Sequence, residues 1–274
     1  MTTDLLAATP LVLVGAGKMG GAMLTGWLDR GLPASGVVVI EPRPAPELLA
    51  LATERGIRLE PAAPAGLVAR VMVVAVKPQI LDEVLPPLAP LVGPETVVVS
   101  VVAGKTVAAF VRGLGATRIV RTIPNTPSQV GRGITAAFGV AAVPATDRDL
   151  VSVLLATLGR LEWVDAEGLI DVATAVSGSG PAYVFHMVEA LAAAGAAAGL
   201  EPALAARLAR ATIEGAGELL WQSPETPETL RKNVTSPGGT TAAALAVLMA
   251  EGGLTALMTE AVAAAAKRSR ELAG

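Results

Sequence analysis

The chain has 274 residues, 52% hydrophobic and 16% charged, which excludes global disorder and supplies apolar side chains for two compact domains rather than one. A net charge of −3 with scattered Lys and Arg argues against a nucleic-acid surface, the absence of cysteine excludes disulfides and a Cys nucleophile, and a single histidine, His186, leaves no multi-histidine metal site. No tract is long and apolar enough to span a membrane, and Met1–Asp4 carry no Lys or Arg, so a cytoplasmic protein without an export signal is expected.

Along the chain, the first half alternates two patterns. Short β-branched runs at Leu11–Val14, Val37–Ile40, Val71–Val76, Val97–Val102 and Arg118–Thr122 read as strands, with a last one near Leu161–Val164. Helical spacing covers Met19–Arg30, Glu47–Arg55, Ile80–Leu91 and Val107–Leu114. Near-continuous apolar strands separated by helices imply a parallel sheet covered on both faces, an α/β unit over residues 1–165. Over 166–274 the β-branched runs stop. Helices are expected near Leu169–Val176, Ala182–Ala198, Pro202–Gln222, Thr241–Ala250 and Gly253–Ala273. The stretch Ala190–Leu200 is apolar nearly all round, which implies burial against a second subunit, a tight monomeric bundle being the alternative.

The first strand runs into Val14-Gly15-Ala16-Gly17-Lys18-Met19-Gly20, with Gly15, Gly17 and Gly20 at G-x-G-x-x-G spacing. Gly15 permits a tight turn, Gly17 lets a pyrophosphate approach the backbone, and Gly20 lets the helix pack on the strand. The helix N-terminus offers free N–H groups to the phosphates. At the end of the second strand, 21 residues beyond Gly20, stands Glu41. Its carboxylate suits a ribose diol and favours NAD, whereas Arg43 suits a 2′-phosphate and favours NADP. The residues alone leave that choice open.

Ligands of an open parallel sheet lie beyond the carboxyl ends of its strands. Three segments fall there: Ala75-Val76-Lys77-Pro78-Gln79, Ser100–Thr106 with Val102 and Ala103, and Ile123-Pro124-Asn125-Thr126-Pro127. Later, Asn233-Val234-Thr235-Ser236-Pro237-Gly238-Gly239-Thr240-Thr241 enters an apolar helix, reading either as backbone N–H groups bared for a carboxylate or as a loop with a threonine cap. Ser177-Gly178-Ser179-Gly180-Pro181 also opens a helix, where the glycines serve close packing in the plainer reading. His186 reads as a packed or surface residue of its helix, and Lys77 as a backbone contributor rather than a catalytic ammonium.

Taken together, the glycine loop, Ala75-Val76-Lys77-Pro78, Pro124–Pro127, Ser177–Tyr183 and Val234–Thr241 resemble the pyrroline-5-carboxylate reductases nearly end to end. The resemblance implies a Rossmann domain followed by an all-helical domain that intertwines with a partner's, giving homodimers that often assemble into decamers. It implies reduction of 1-pyrroline-5-carboxylate to L-proline, the last step of proline biosynthesis, with NADPH usually and NADH sometimes as reductant. In matching positions Val76, Lys77 and Pro78, with Val102 and Ala103, border the nicotinamide ribose, and Asn233 reaches the cofactor. Gly239 and Thr240 hold the substrate carboxylate, Thr241 hydrogen-bonds the ring nitrogen, and Glu167 lines the substrate pocket. No metal is implied. The chain departs from the family at the adenosine end. Glu41-Pro42 replaces the Asn or Ser that NADPH users often carry beside the arginine, and Glu60-Pro61-Ala62-Ala63 stands where many have an Asn. Arg43 and the resemblance together favour NADPH. The rival readings are a β-hydroxyacid dehydrogenase or other imine reductase on the same plan, and a non-catalytic dinucleotide sensor.

Overall fold

Strands form where the chain offers apolar runs with no polar face. In the structure, a computed structural model that describes residues 5–273, β1 (Leu11–Val14) and β2 (Val37–Ile40) are buried at every position. Only interior parallel strands covered on both faces accommodate that pattern. The helix between them, α1 (Lys18–Asp29), anchors itself through Trp27, whose Nε1 donates to the Leu154 carbonyl at 2.9 Å. Next come α2 (Pro46–Arg55), β3 (Arg58–Glu60), β4 (Ala69–Val74), α3 (Leu81–Leu88), β5 (Val92–Ser100), α4 (Val107–Leu114) and β6 (Arg118–Ile123). The sheet is completed by β7 (Gly133–Gly139), α5 (Ala145–Leu155) and β8 (Gly159–Trp163).

The strand order is β3-β2-β1-β4-β5-β6-β7-β8. Leu13 pairs with Val39 on one side and Val73 on the other, both in parallel register. The chain runs outward from β1 to β3 and then crosses back to lay β4 against the free side of β1. That reversal opens a crevice at the carboxyl ends of β1 and β4, the place where such sheets take ligands. Apolar side chains fill both faces: Met23, Trp27, Leu150 and Leu154 on one, Leu81, Leu85, Phe110 and Ile119 on the other.

This is the expected Rossmann-type arrangement, with differences in detail. The sheet is not wholly parallel, because β7 runs antiparallel to β6 and carries β8 with it. The link from β6 to β7 holds only a short 3₁₀ turn, Thr126–Val130, and a parallel return needs a crossover of about a dozen residues or more. The stretch expected as one helix over Ile80–Leu91 is helical only from Leu81 to Leu88, with 3₁₀ turns at Pro78–Ile80 and Ala89–Leu91. Pro78, Pro86, Pro87 and Pro90 withhold the N–H donors that a continuous helix requires.

The chain forms two compact units, one through Gly178 and rejoined by the chain from Ala266 onward, the other Ser179–Ala265. In the first, α6 (Gly168–Ala173) is followed by a π-helical turn at Thr174–Gly178. The second holds α7 (Gly180–Ala197), α8 (Pro202–Gln222), α9 (Pro227–Asn233), α10 (Thr240–Leu248) and most of α11 (Leu254–Ala273), with α7 packed along α8. No residue of α7 is buried within the single chain, and Phe185 and Val247 are 64% and 73% exposed. No helix among the described residues is long and apolar enough to cross a membrane. Met1–Asp4, on which the expectation of no export signal rests, lie outside the described residues.

Two charge clusters stiffen the first unit. At the amino ends of the strands, the buried Asp147 carboxylate accepts from Arg70 and, at 3.0 Å, from Arg118, which also reaches Glu95. Towards the other end, the Arg121 guanidinium, 3% exposed, donates to Asp171 at 2.9 Å and Glu167 at 3.2 Å, while Ser269 of α11 donates to Asp171 at 2.8 Å. Removing one partner of such a pair strands the other charge in the interior. Asp171→Ala is therefore expected to cost about 3 kcal/mol or more in denaturant unfolding. A loss within about 0.5 kcal/mol would show that the Arg121 charge is compensated elsewhere.

Candidate active site

The crevice is built around a turn that side chains cannot enter. Gly15 has φ +84°, and a Cβ there would lie 2.9 Å from the Ala75 carbonyl oxygen, so the turn after β1 is pressed against the end of β4. A Cβ on Gly20 would lie 2.2 Å from the Gly15 carbonyl oxygen, so the first turn of α1 sits directly on the loop. Gly17 differs. It caps α1 without a side-chain hydrogen bond, and a Cβ there would meet nothing within 4 Å. No packing of the protein requires a glycine at that place, whereas close approach by a ligand does.

Around this turn lies a cavity of about 600 Å³ lined by Val14, Gly15, Gly17, Glu41, Arg43, Ala75, Val76 and Lys77, with Pro61–Ala63 and residues of α3. Its size is that of a small-molecule site. An open glycine edge, an uncapped helix N-terminus and an apolar floor suit a dinucleotide, and the residues fit that group. Glu41 is the polar centre of one wall. Its Oε2 accepts from the Ala16 N–H at 3.2 Å and its Oε1 from the Arg43 N–H at 3.1 Å.

The structure thus brings together Val14, Gly15, Gly17, Arg43, Ala75, Val76 and Lys77 around one cavity, with Ala16, Lys18, Met19, Gly20 and Pro78 adjacent in the same loops. Val102 and Ala103 follow β5 in the same unit, Val102 buried and Ala103 exposed. Glu167 is also there, but its Oε1 is already engaged, accepting from the Val107 N–H at 2.8 Å and from Arg121. Asn233, Gly239, Thr240 and Thr241 belong to the second unit, where Asn233 ends α9 and Gly239 caps α10 with no side-chain hydrogen bond. The first N–H groups of α10 are left open there, and Gly238, at φ +72°, turns the chain into them. His186 is exposed on α7 beside Glu189. Among the described residues no three His, Cys, Asp or Glu form a metal cluster.

Sequence reasoning did not single out the α3 side of the cavity, formed by Ile80, Glu83 and Val84, nor the role of Asn125. The Asn125 Nδ2 donates to the Ser177 carbonyl at 3.1 Å, and its Oδ1 accepts from the Ile134 N–H at 3.0 Å. A π-helical turn displaces backbone carbonyls from their usual partners, and Asn125 takes up one of them at Ser177. The two prolines flanking its loop were the visible sign of a fixed segment; its amide partner was not visible.

The fold and the glycine crevice define a dinucleotide-binding protein of the Rossmann type. Residues 10–104 match the family model described as NADP oxidoreductase coenzyme F420-dependent, and residues 167–272 that described as pyrroline-5-carboxylate reductase dimerisation. A pyrroline-5-carboxylate reductase of Pseudomonas aeruginosa is 39% identical over 97% of this chain and 98% of its own length. Among solved structures, a pyrroline-5-carboxylate reductase from Coxiella burnetii superposes with a TM-score of 0.88 at 33% identity, covering 97% of this chain and 99% of that one. One from Plasmodium falciparum, with NADP bound, gives 0.77 at 27%, covering 98% and 100%. The chain belongs to the pyrroline-5-carboxylate reductase family.

The glycine geometry separates two substitutions. Gly17→Ala is expected to leave the melting temperature within about 2 °C of wild type, since the added methyl meets no protein atom, while weakening dinucleotide binding roughly tenfold. Gly20→Ala is expected to lower both, because its methyl collides with the backbone. Calorimetric titration and thermal melting check the pair; unimpaired binding in Gly17→Ala would remove the phosphate from this edge.

Proposed function

We propose that this chain is an NAD(P)H-dependent oxidoreductase that reduces 1-pyrroline-5-carboxylate to L-proline, the last step of proline biosynthesis. The observation that carries this reading is the similarity to a curated reductase across 97% of the chain. The open glycine cavity in the first unit supports the same conclusion. The reductant, when bound, supplies the hydride that saturates the C=N bond of the cyclic imine.

The chain's own residues bind, orient and shield. The glycine loop from Val14 to Gly20 takes the pyrophosphate, with Arg43 and Glu41 at the adenosine ribose. Ala75, Val76, Lys77 and Pro78, with Val102 and Ala103, border the nicotinamide ribose, and Asn233 contributes from the helical domain. Gly239 and Thr240 present backbone N–H groups at the start of α10 to the substrate carboxylate, a device that needs no arginine. Glu167 lines the substrate pocket, its Oε1 fixed by Val107 and Arg121. The Thr241 hydroxyl donates to or accepts from the ring nitrogen and so sets the face presented. A neutral alcohol is a weak acid, and a protonated iminium is already electrophilic, so orientation rather than proton donation is the larger contribution of Thr241.

The domain from 166 to 274 binds substrate and dimerises, and the exposed apolar side chains of α7, α8 and α10 support a homodimer, with the decamer the higher assembly implied by the family resemblance. The enzyme is cytoplasmic, where the cell's pool of reduced dinucleotide is available. On cofactor preference, Arg43 and the resemblance support NADPH, and the bonds of Glu41 support NADH.

Oxidation of reduced dinucleotide with proline formed is the direct test; dinucleotide binding without turnover would favour the sensor reading. Thr241→Ala is expected to lower kcat roughly tenfold or more while dinucleotide Kd stays within about twofold. Equal losses in both would remove Thr241 from the substrate.

A further inference from the structure

We infer that Glu41, together with Pro42, sets this reductase to NADH over NADPH, an inference that rests on the reading of the glycine cavity as the reductant site. The carboxylate is held by two backbone N–H groups at once, Ala16 in the glycine loop at 3.2 Å and Arg43 just beyond β2 at 3.1 Å. It is therefore a fixed negative charge tying the end of β2 to the phosphate loop, on the wall of the cavity that also holds Gly15 and Gly17.

A 2′-phosphate draws on three kinds of donor at the end of the second strand: backbone N–H groups, short polar side chains and a guanidinium. Here Pro42 has no N–H, and the Arg43 N–H is already donated to Glu41. Neither Glu41 nor Pro42 carries a hydroxyl or amide side chain. Arg43 alone remains, exposed and free to rotate towards water. Against it stands a carboxylate that only accepts, as does a phosphate dianion, so no hydrogen bond can relieve their repulsion. A ribose diol presents two O–H donors instead. An ionised carboxylate has about four acceptor sites, two of which Ala16 and Arg43 use, leaving acceptor capacity for the diol.

The opposing pull of Arg43 is weaker for a physical reason. A surface guanidinium on a flexible stem loses side-chain entropy when recruited and is screened by water and salt, whereas Glu41 is half-buried and already positioned. The fixed charge outweighs the mobile one.

Nicotinamide-free ligands isolate this subsite from the chemistry. In calorimetric titrations of the full-length protein, ADP-ribose is expected to bind about tenfold or more tightly than 2′-phospho-ADP-ribose, the order expected of one partly screened like-charge contact. Glu41→Gln retains an acceptor and removes the charge, so it is expected to bring the two affinities to within about threefold of each other. Pro42→Ser, which restores an N–H and a hydroxyl, is expected to improve 2′-phospho-ADP-ribose alone. Tighter binding of the 2′-phosphorylated ligand by the wild type would overturn the inference without any variant, as would an unchanged ratio in Glu41→Gln. Failure of the functional reading has a different appearance: neither NADH nor NADPH is consumed with 1-pyrroline-5-carboxylate, while the ADP-ribose preference still reads out.

Discussion

Where α1 meets the turn after β1 there is no room for a single carbon atom. A Cβ at Gly20 would overlap the Gly15 carbonyl, and one at Gly15 would overlap the carbonyl of Ala75. This double contact fixes where α1 starts relative to β1 and how β4 lies beside both. With α1 seated so close, its first N–H groups open into the crevice rather than onto protein, and Gly17 is left as an unfilled edge. The strand order follows the same constraint, since β4 must return to the side of β1 that β2 leaves free. The crevice is thus a by-product of packing, and the cavity's chemistry is added by whatever residues end the neighbouring strands.

The two ends of the sheet treat charge in opposite ways. At the amino ends Asp147 is consumed by Arg70 and Arg118, and nothing is left over for a ligand. At the carboxyl end of β2, Glu41 is met by backbone N–H groups instead of arginines. Main-chain donors hold the Glu41 carboxylate in place without supplying a countercharge. Glu167 is intermediate: one oxygen is shared between the start of α4 and Arg121. The buried Arg121–Asp171–Ser269 contacts beside it tie α6 and the last turns of α11 to the sheet, so the start of α6 is held by charge as well as by apolar contact.

Much of this was legible in the residues because the strongest signals are steric or apolar. The boundaries of β1, β2 and α4 follow from uninterrupted hydrophobic runs and a regular helical stripe, and the glycine spacing located the turn. What stayed hidden depended on partners far along the chain. β7 is Gly-Ile-Thr-Ala-Ala-Phe-Gly, largely small residues of weak strand preference, and exists because β6 and β8 flank it with open ladders. The π-helical turn at Thr174–Gly178 looks like ordinary helix in sequence, and its Asn125 partner is 52 residues away. For the cofactor, composition showed that Glu41 and Arg43 compete. Only the bonds to Ala16 and Arg43 revealed which of the two is fixed.

The helical unit was legible in a different sense. Its sequence has too few polar positions to give α7 or α10 a water-facing side, and within one chain α7 buries none of its residues. Apolar surface on this scale, at about 25 cal/mol per Å², is an association energy in waiting. Where a second subunit covers such a face, folding and assembly become one equilibrium and stability depends on protomer concentration. The same small residues that deny α7 a polar face, Ala and Gly in series, let helices approach closely, in keeping with the match of residues 167–272 to a dimerisation family model. Gly239, Thr240 and Thr241 stand at the head of α10, another helix that buries no residue within the single chain.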